Sequence, residues 1–238
     1  MSEYLLSTSG LTKQFGHHKA VNNVDLHVKK GAIYGFIGRN GAGKTTFLKM
    51  ISGLSKPTDG EIQMFGYRNE ELKNVRSRIS GLIEAPGIYG NMSAYHNLAI
   101  KCRLFGINDS KYIENILKIV GLSEVGKKKT KHFSLGMKQR LGISISLLGN
   151  PDLVILDEPT NGLDPVGIQE LRDLIKRLND SGVTVLVSSH NLAEIQHIAS
   201  YVGIIINGKL KYEGKVNSNS NLEDIFMSVT REEEYSYV

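Results

Sequence analysis

Gly38-Arg39-Asn40-Gly41-Ala42-Gly43-Lys44-Thr45-Thr46 lies between the apolar run Ile33-Tyr-Gly-Phe-Ile37 and a helix-forming stretch. Strand, glycine-rich loop, then helix is the setting in which such a loop cradles phosphate groups. Gly38, Gly41 and Gly43 let the backbone curl until successive amides point at one anion. The helix that opens at the loop adds the partial positive charge of its N-terminus. In that frame Lys44 reaches the β- and γ-phosphates of a nucleotide, and the Thr45 hydroxyl is placed to ligate Mg²⁺. Arg39, Asn40, Ala42 and Thr46 complete the loop's expected contacts. Twenty-five glycines make some chance spacing inevitable, but here both flanks agree with the motif.

A second motif supports the first. Leu153-Val-Ile-Leu-Asp157-Glu158 is an apolar strand that ends in two carboxylates. Buried strands of open α/β sheets deliver their last side chains to the edge where ligands bind. Asp157 is expected to hold Mg²⁺, which prefers oxygen ligands and keeps several waters. Glu158 is the expected general base, or the group that orients the attacking water. Alone, the pair also suits an acidic helix start; beside the phosphate loop, ATP binding and hydrolysis is the better reading.

Outward from these motifs, short apolar runs alternate with amphipathic segments, the pattern of a sheet covered by helices. Strands are expected over 32–37, 60–65, 79–83, 153–156, 183–187 and 202–206, and helices over 45–53, 165–178 and 191–199. Residues 93–149 read instead as helical, with Ser93 as N-cap of the first helix. Asn207-Gly208 is a two-residue hairpin signal. The expected organisation is one α/β domain: a core over about 1–84 and 150–215, a helical subdomain over about 85–149 and a tail over about 216–238. Arg231 to Val238, with three consecutive glutamates, is expected to fray.

The chain has 238 residues, 40% of them hydrophobic and 22% charged, enough to bury a core. Its formal charge of +5 suits an anionic ligand or membrane surface but is too small to argue for nucleic acid. The single cysteine, Cys102, excludes an internal disulfide and fits a reducing compartment. No apolar run approaches the ~20 residues that span a bilayer, and the N-terminus lacks a signal peptide's pattern. A cytoplasmic protein is expected, peripheral on the membrane through another subunit.

Phe133-Ser134-Leu135-Gly136-Met137-Lys138-Gln139-Arg140 resembles the signature motif of ATP-binding cassette (ABC) transporter ATPases. Asn161-Gly162-Leu163-Asp164 is similar to that family's D-loop, His190 to its switch histidine, and Phe15 to the aromatic that stacks on adenine. Singly, each has a plain structural reading: a core aromatic, a satisfied histidine, a helix cap. Their order along nearly the whole chain favours the family. The resemblance implies a P-loop NTPase (RecA-like) core with an N-terminal antiparallel β part and an inserted α-helical subdomain. It also implies a head-to-tail homodimer that sandwiches ATP and Mg²⁺. Ser134 and Gly136 would then face the γ-phosphate bound by the other copy, Asp164 would join the nucleotide-binding residues, and His190 would sense the γ-phosphate.

Two departures narrow the resemblance. Glu84, in Leu82-Ile-Glu84-Ala-Pro86, stands where the family has a Gln that meets Mg²⁺ or the attacking water. A carboxylate binds the metal more strongly but cannot donate a hydrogen bond. Leu135 replaces a glycine, which restricts approach to phosphate if that position needs φ > 0. Together these segments resemble the cassettes of lantibiotic self-protection and bacitracin-resistance exporters. The implied role is an ATPase driving separate membrane permeases that expel a peptide antibiotic. A cassette of another exporter, a non-transport ATPase on ribosomes or DNA, and a regulatory cassette without turnover are the alternatives.

Overall fold

The computed structural model describes residues 3–217 and 221–235. Along the chain, β1 (Tyr4–Phe15), β2 (His18–Lys29) and β3 (Ile33–Ile37) lead to α1 (Lys44–Ile51). Next come β4 (Asp59–Met64), β5 (Tyr67–Arg68), a 3-10 segment (Asn69–Arg78) and β6 (Ile79–Leu82). Three helices follow: α2 (Ala94–Leu104), α3 (Ser110–Ile119) and α4 (Leu135–Ser146). The chain then returns to the sheet with β7 (Leu153–Asp157), α5 (Pro165–Asp180), β8 (Thr184–Ser189), α6 (Leu192–Gln196) and β9 (Tyr201–Ile206). It closes with β10 (Lys209–Lys215) and α7 (Leu222–Tyr235).

Two sheets result. The first is antiparallel, in order β2-β1-β4-β5, and the second has order β10-β9-β3-β8-β7-β6. In the second sheet β9, β3, β8, β7 and β6 run parallel, and only β10 pairs antiparallel. Every residue of β3, β7 and β8 is buried, as strands covered on both faces require.

Alternation then sorts their side chains between two cores. Tyr34, Phe36, Leu153, Ile155 and Leu186 pack with α1 and the antiparallel sheet. Ile33, Ile37, Val154, Leu156, Val185 and Val187 face the opposite core, shared with α2–α6. Phe47 of α1 is fully buried, its ring 4.9 Å from Phe36; burying a side chain of that size contributes ~1.5–3 kcal/mol. The phosphate loop is thus set on a helix clamped between the sheets.

The helices between β6 and β7 form the inserted α-helical subdomain of a P-loop NTPase core. Their starts follow cap chemistry: Ser93 Oγ accepts from His96 N at 3.1 Å, Asp109 from Lys111 N at 2.8 Å and Ser134 from Met137 N at 3.3 Å. Gly142 of α4 lies so close to Pro86 that an added Cβ would sit 2.8 Å from its ring. The helix bearing Ser134 is therefore seated on the loop that follows Glu84.

The expected hairpin at Asn207-Gly208 is present, with φ of 48° and 78° joining β9 to β10. One expectation is corrected. Residues 231–235 continue α7 rather than fray, because Leu222, Ile225 and Phe226 anchor that helix in the core; residues 236–238 lie outside the described set. Among the described residues, no helix is long and apolar enough to cross a membrane.

Candidate functional site

Strand register assembles the site. β3, β8 and β7 are parallel neighbours, with Ile37 level with Ser189 and Asp157 level with Ser188. Their C-terminal ends share one edge, so Gly38, Asp157, Glu158 and His190 follow at neighbouring strand ends. Leu82 is level with Leu156, which sets Glu84 two residues beyond the same edge.

The phosphate loop needs its glycines. Gly43 has φ 106°, and a Cβ there would lie 2.3 Å from the Ala20 carbonyl oxygen, so a side chain is excluded twice over. Lys44 is only 5% exposed, and its ammonium donates to the carbonyls of Gly38 at 2.6 Å and Arg39 at 3.2 Å. Arg39 and Asn40 are exposed, while Gly41 and Ala42 join them in lining a cavity of about 270 Å³ shared with Phe226 and Thr230 of α7. Thr46 is half-buried on the first turn of α1.

Thr45 Oγ1 donates to Asp157 Oδ2 at 2.7 Å, joining the two motifs across 112 residues. Ser188 Oγ donates to Asp157 Oδ1 at 2.6 Å and accepts from the Glu158 amide at 2.9 Å. Asp157 is 7% exposed, so each oxygen has a donor in place of water. Ser188 belongs to the site although no motif in the sequence marks it. Only the strand pairing that sets Ser188 level with Asp157 reveals its part in the site.

Glu158 adopts φ 48°, unusual for a non-glycine residue. Its Oε2 shares a 2.7 Å hydrogen bond with His190 Nδ1, and its Oε1 lies 3.0 Å from Lys44 Nζ. The Lys44 contact is ionic: Oε1 is buried and has no hydrogen-bond partner. A carboxylate held by the histidine at one oxygen, with only the Lys44 ammonium beside the other, keeps a lone pair to offer to a water or hydroxyl.

Glu84 is set apart. It too has a positive φ, 64°, but its side chain is 63% exposed and pairs with Lys49 of α1 at 2.5 Å. Its side chain meets that ammonium rather than Thr45 or Asp157.

Phe15, 56% exposed, ends β1 opposite His18, with the Lys13 ammonium 5.2 Å from its ring centre. Ala20, against Gly43, places that hairpin alongside the phosphate loop. Ser134 caps α4 and stands exposed. Leu135 is helical and has no positive φ, so replacing glycine there imposes no strain. Its side chain packs on Gly162, and Gly136 faces Leu163. Asp164 is the N-cap of α5, accepting from Gly167 N at 2.7 Å. The structure thus joins Lys44, Thr45, Asp157, Glu158 and His190, and gathers Ser134, Gly136 and Asp164 around a separate turn. Among the described residues no hydrogen bond or ion pair links the second group to the first.

Comparison with known proteins agrees with this geometry. The ABC transporter family model matches residues 21–161. The bacitracin transport ATP-binding protein BcrA of Bacillus licheniformis is 49% identical over 213 residues, covering 88% of this chain and 69% of its own. The lantibiotic transport ATP-binding protein SrtF of Streptococcus pyogenes is 44% identical over 222 residues, covering 93% and 96%. A solved ATP-binding cassette, described as a dimeric post-hydrolysis state bound to ADP and Pi, superposes with a TM-score of 0.79 at 25% identity, covering 90% and 99%. The chain belongs to the ABC transporter family, as an ATP-binding subunit.

Proposed function

We propose that this subunit binds Mg-ATP at the Lys44–Thr45 loop, hydrolyses it within a head-to-tail pair of identical chains, and powers separate membrane permeases that export a peptide antibiotic. The observation that carries the hydrolytic part is the array Lys44–Glu158–His190 beside Thr45–Asp157–Ser188.

Thr45 Oγ1 and Asp157 Oδ2 are hard oxygen donors 2.7 Å apart, a set that fits Mg²⁺. Bound there, the ion would neutralise charge on the phosphate oxygens. Lys44 exchanges its carbonyl contacts for the β- and γ-phosphates. Glu158 accepts a proton from, or orients, the attacking water through Oε1, while His190 holds its other oxygen. Glu84 supplies a carboxylate from the neighbouring loop once it leaves Lys49.

The cap hydroxyl of Ser134 and the amides at the start of α4 suit the γ-phosphate held by the partner chain. Phe15 offers an exposed ring for the adenine face. The dimeric relative supports the pairing, and the bacitracin and lantibiotic relatives support the substrate class.

Glu158→Gln tests the assignment of the base. Phosphate release should fall by about 10²–10⁴-fold, the share of a general base. Nucleotide binding should persist, and ATP should hold the variant as a dimer in gel filtration. A rate within about twofold of wild type would remove Glu158 from that role. Co-expression with permeases and measured tolerance to peptide antibiotics tests the substrate class, with Lys44→Ala as control; protection that does not need Lys44 refutes export by this ATPase.

A further inference from the structure

The charge of this chain is not spread evenly. Residues 85–149 hold ten Lys and Arg against three carboxylates, Asp109, Glu114 and Glu124, a formal +7 that leaves −2 for the rest of the +5 chain. Several of the insert's lysines are brought together, and backbone contacts show how, while Arg140 is turned to Glu170 of α5. Thr130 is fully buried; its Oγ1 donates to the Tyr89 carbonyl at 2.9 Å and its amide to the Met92 carbonyl at 2.9 Å. Lys129 bridges to Ser93, and the Lys131 amide donates to the Gly90 carbonyl. The lysine-rich stretch 127–131 is thereby pinned beside 89–93, where Tyr89 and Met92 are 50% and 39% exposed. The Lys101 ammonium stands 6.0 Å from the Tyr89 ring centre on the same surface.

A groove of about 960 Å³ continues it, with Tyr95 and Leu117 on its apolar part and Lys111, Lys118 and Lys127 against the single acid Glu114. The Tyr95 amide donates to Gly126, which joins the groove to the pinned stretch. Lys111, Lys118, Lys127, Lys128, Lys129 and Lys131 are exposed. None of them pairs with a carboxylate among the described residues, whereas Lys29, Lys44, Lys49 and Arg78 each do.

We infer that this face of the helical insert binds anionic phospholipid headgroups at the membrane surface. Lysines on three separate segments suit headgroups that rearrange to meet them. A fixed acidic peptide would have to match all three at once. Tyr89, with the Lys101 ammonium near its ring, and the part-exposed Met92 suit the boundary between headgroups and acyl chains, where lysines lay their stems along apolar surface and extend their charges. Each lysine near an anionic leaflet adds attraction that fades within a Debye length. The inference rests on the reading of the chain as a membrane-partnered ATPase, but it needs no hydrolysis.

The test sediments the full chain with vesicles of phosphatidylcholine alone, or with about one-third phosphatidylglycerol. Binding is expected to the anionic vesicles, to weaken with salt, and to be slight on the neutral ones. The triple variant Lys118→Gln, Lys127→Gln, Lys129→Gln should lose about a hundredfold in partition, with its thermal midpoint and solution ATPase rate unchanged. Equal binding to neutral vesicles, or full binding by the triple variant, overturns the inference. So does binding confined to permease segments with none to vesicles, which assigns the face to a protein partner. Failure of the ATPase reading would appear instead as absent phosphate release in the wild-type samples, whatever the vesicles do.

Discussion

At the sheet edge, Lys44 and Asp157 are 5% and 7% exposed, and each is held by at least two partners within the chain. At the start of α4, Ser134 is exposed, and its hydroxyl accepts the cap bond from Met137 N. Both regions are aimed at phosphate in the proposed reaction, yet only the first is arranged in advance by its own fold. Charged groups fixed beforehand need not reorganise when substrate charge arrives. A helix N-terminus left in solvent keeps its amides for whatever covers it. One half of the proposed site is thus built by folding, and the other by association.

The largest expected effect comes from breaking the folded half. Lys44→Ala removes the cation from the loop and leaves the buried Oε1 of Glu158 without the ammonium beside it. Phosphate release should drop by at least about 10²–10³-fold. Mixing then sharpens the comparison. Ser134→Ala and Lys44→Ala should each be impaired alone, but together should recover about a quarter of the wild-type rate, because half of the random pairs are mixed and each carries one whole site. No recovery in the mixture means that Ser134 serves its own chain.

A smaller effect is expected from Ser188→Ala, which strips Asp157 of one donor and leaves the Glu158 amide without its acceptor. Urea unfolding should show a loss of about 1–3 kcal/mol, the cost of leaving buried polar groups unsatisfied. The smallest stability change belongs to Lys49→Gln. The Lys49–Glu84 pair joins a half-buried lysine to an exposed carboxylate and is screened by solvent, so unfolding should shift by no more than about 1 kcal/mol. The Mg²⁺ concentration for half-maximal hydrolysis should fall as Glu84 is released; an unchanged requirement separates Glu84 from the metal.

The same contrast explains what could be read from residues alone. The phosphate loop, Asp157-Glu158 and the Asn207-Gly208 turn are local: their chemistry is written in adjacent residues, and the fold places them as expected. Ser188 and Lys49 act through partners 31 and 35 residues away. A serine in an apolar strand and a lysine on a helix carry no local sign of such partners. Leu135 looked costly as a glycine replacement, but its backbone is helical, so the concern dissolves once φ is known. Helix α7 was missed because three glutamates dominate its end, although Leu222, Ile225 and Phe226 already show helical spacing upstream.

The division of charge between insert and remainder, +7 against −2, has a consequence beyond any single contact. It gives the molecule an electrical axis. Near a negatively charged surface such a body is turned before it touches, so its arrivals are biased toward one orientation. The bias acts only within about 8 Å at physiological salt. Over that last distance, rotational search for a docking partner becomes shorter, and the energy for it comes from residues that take no part in hydrolysis.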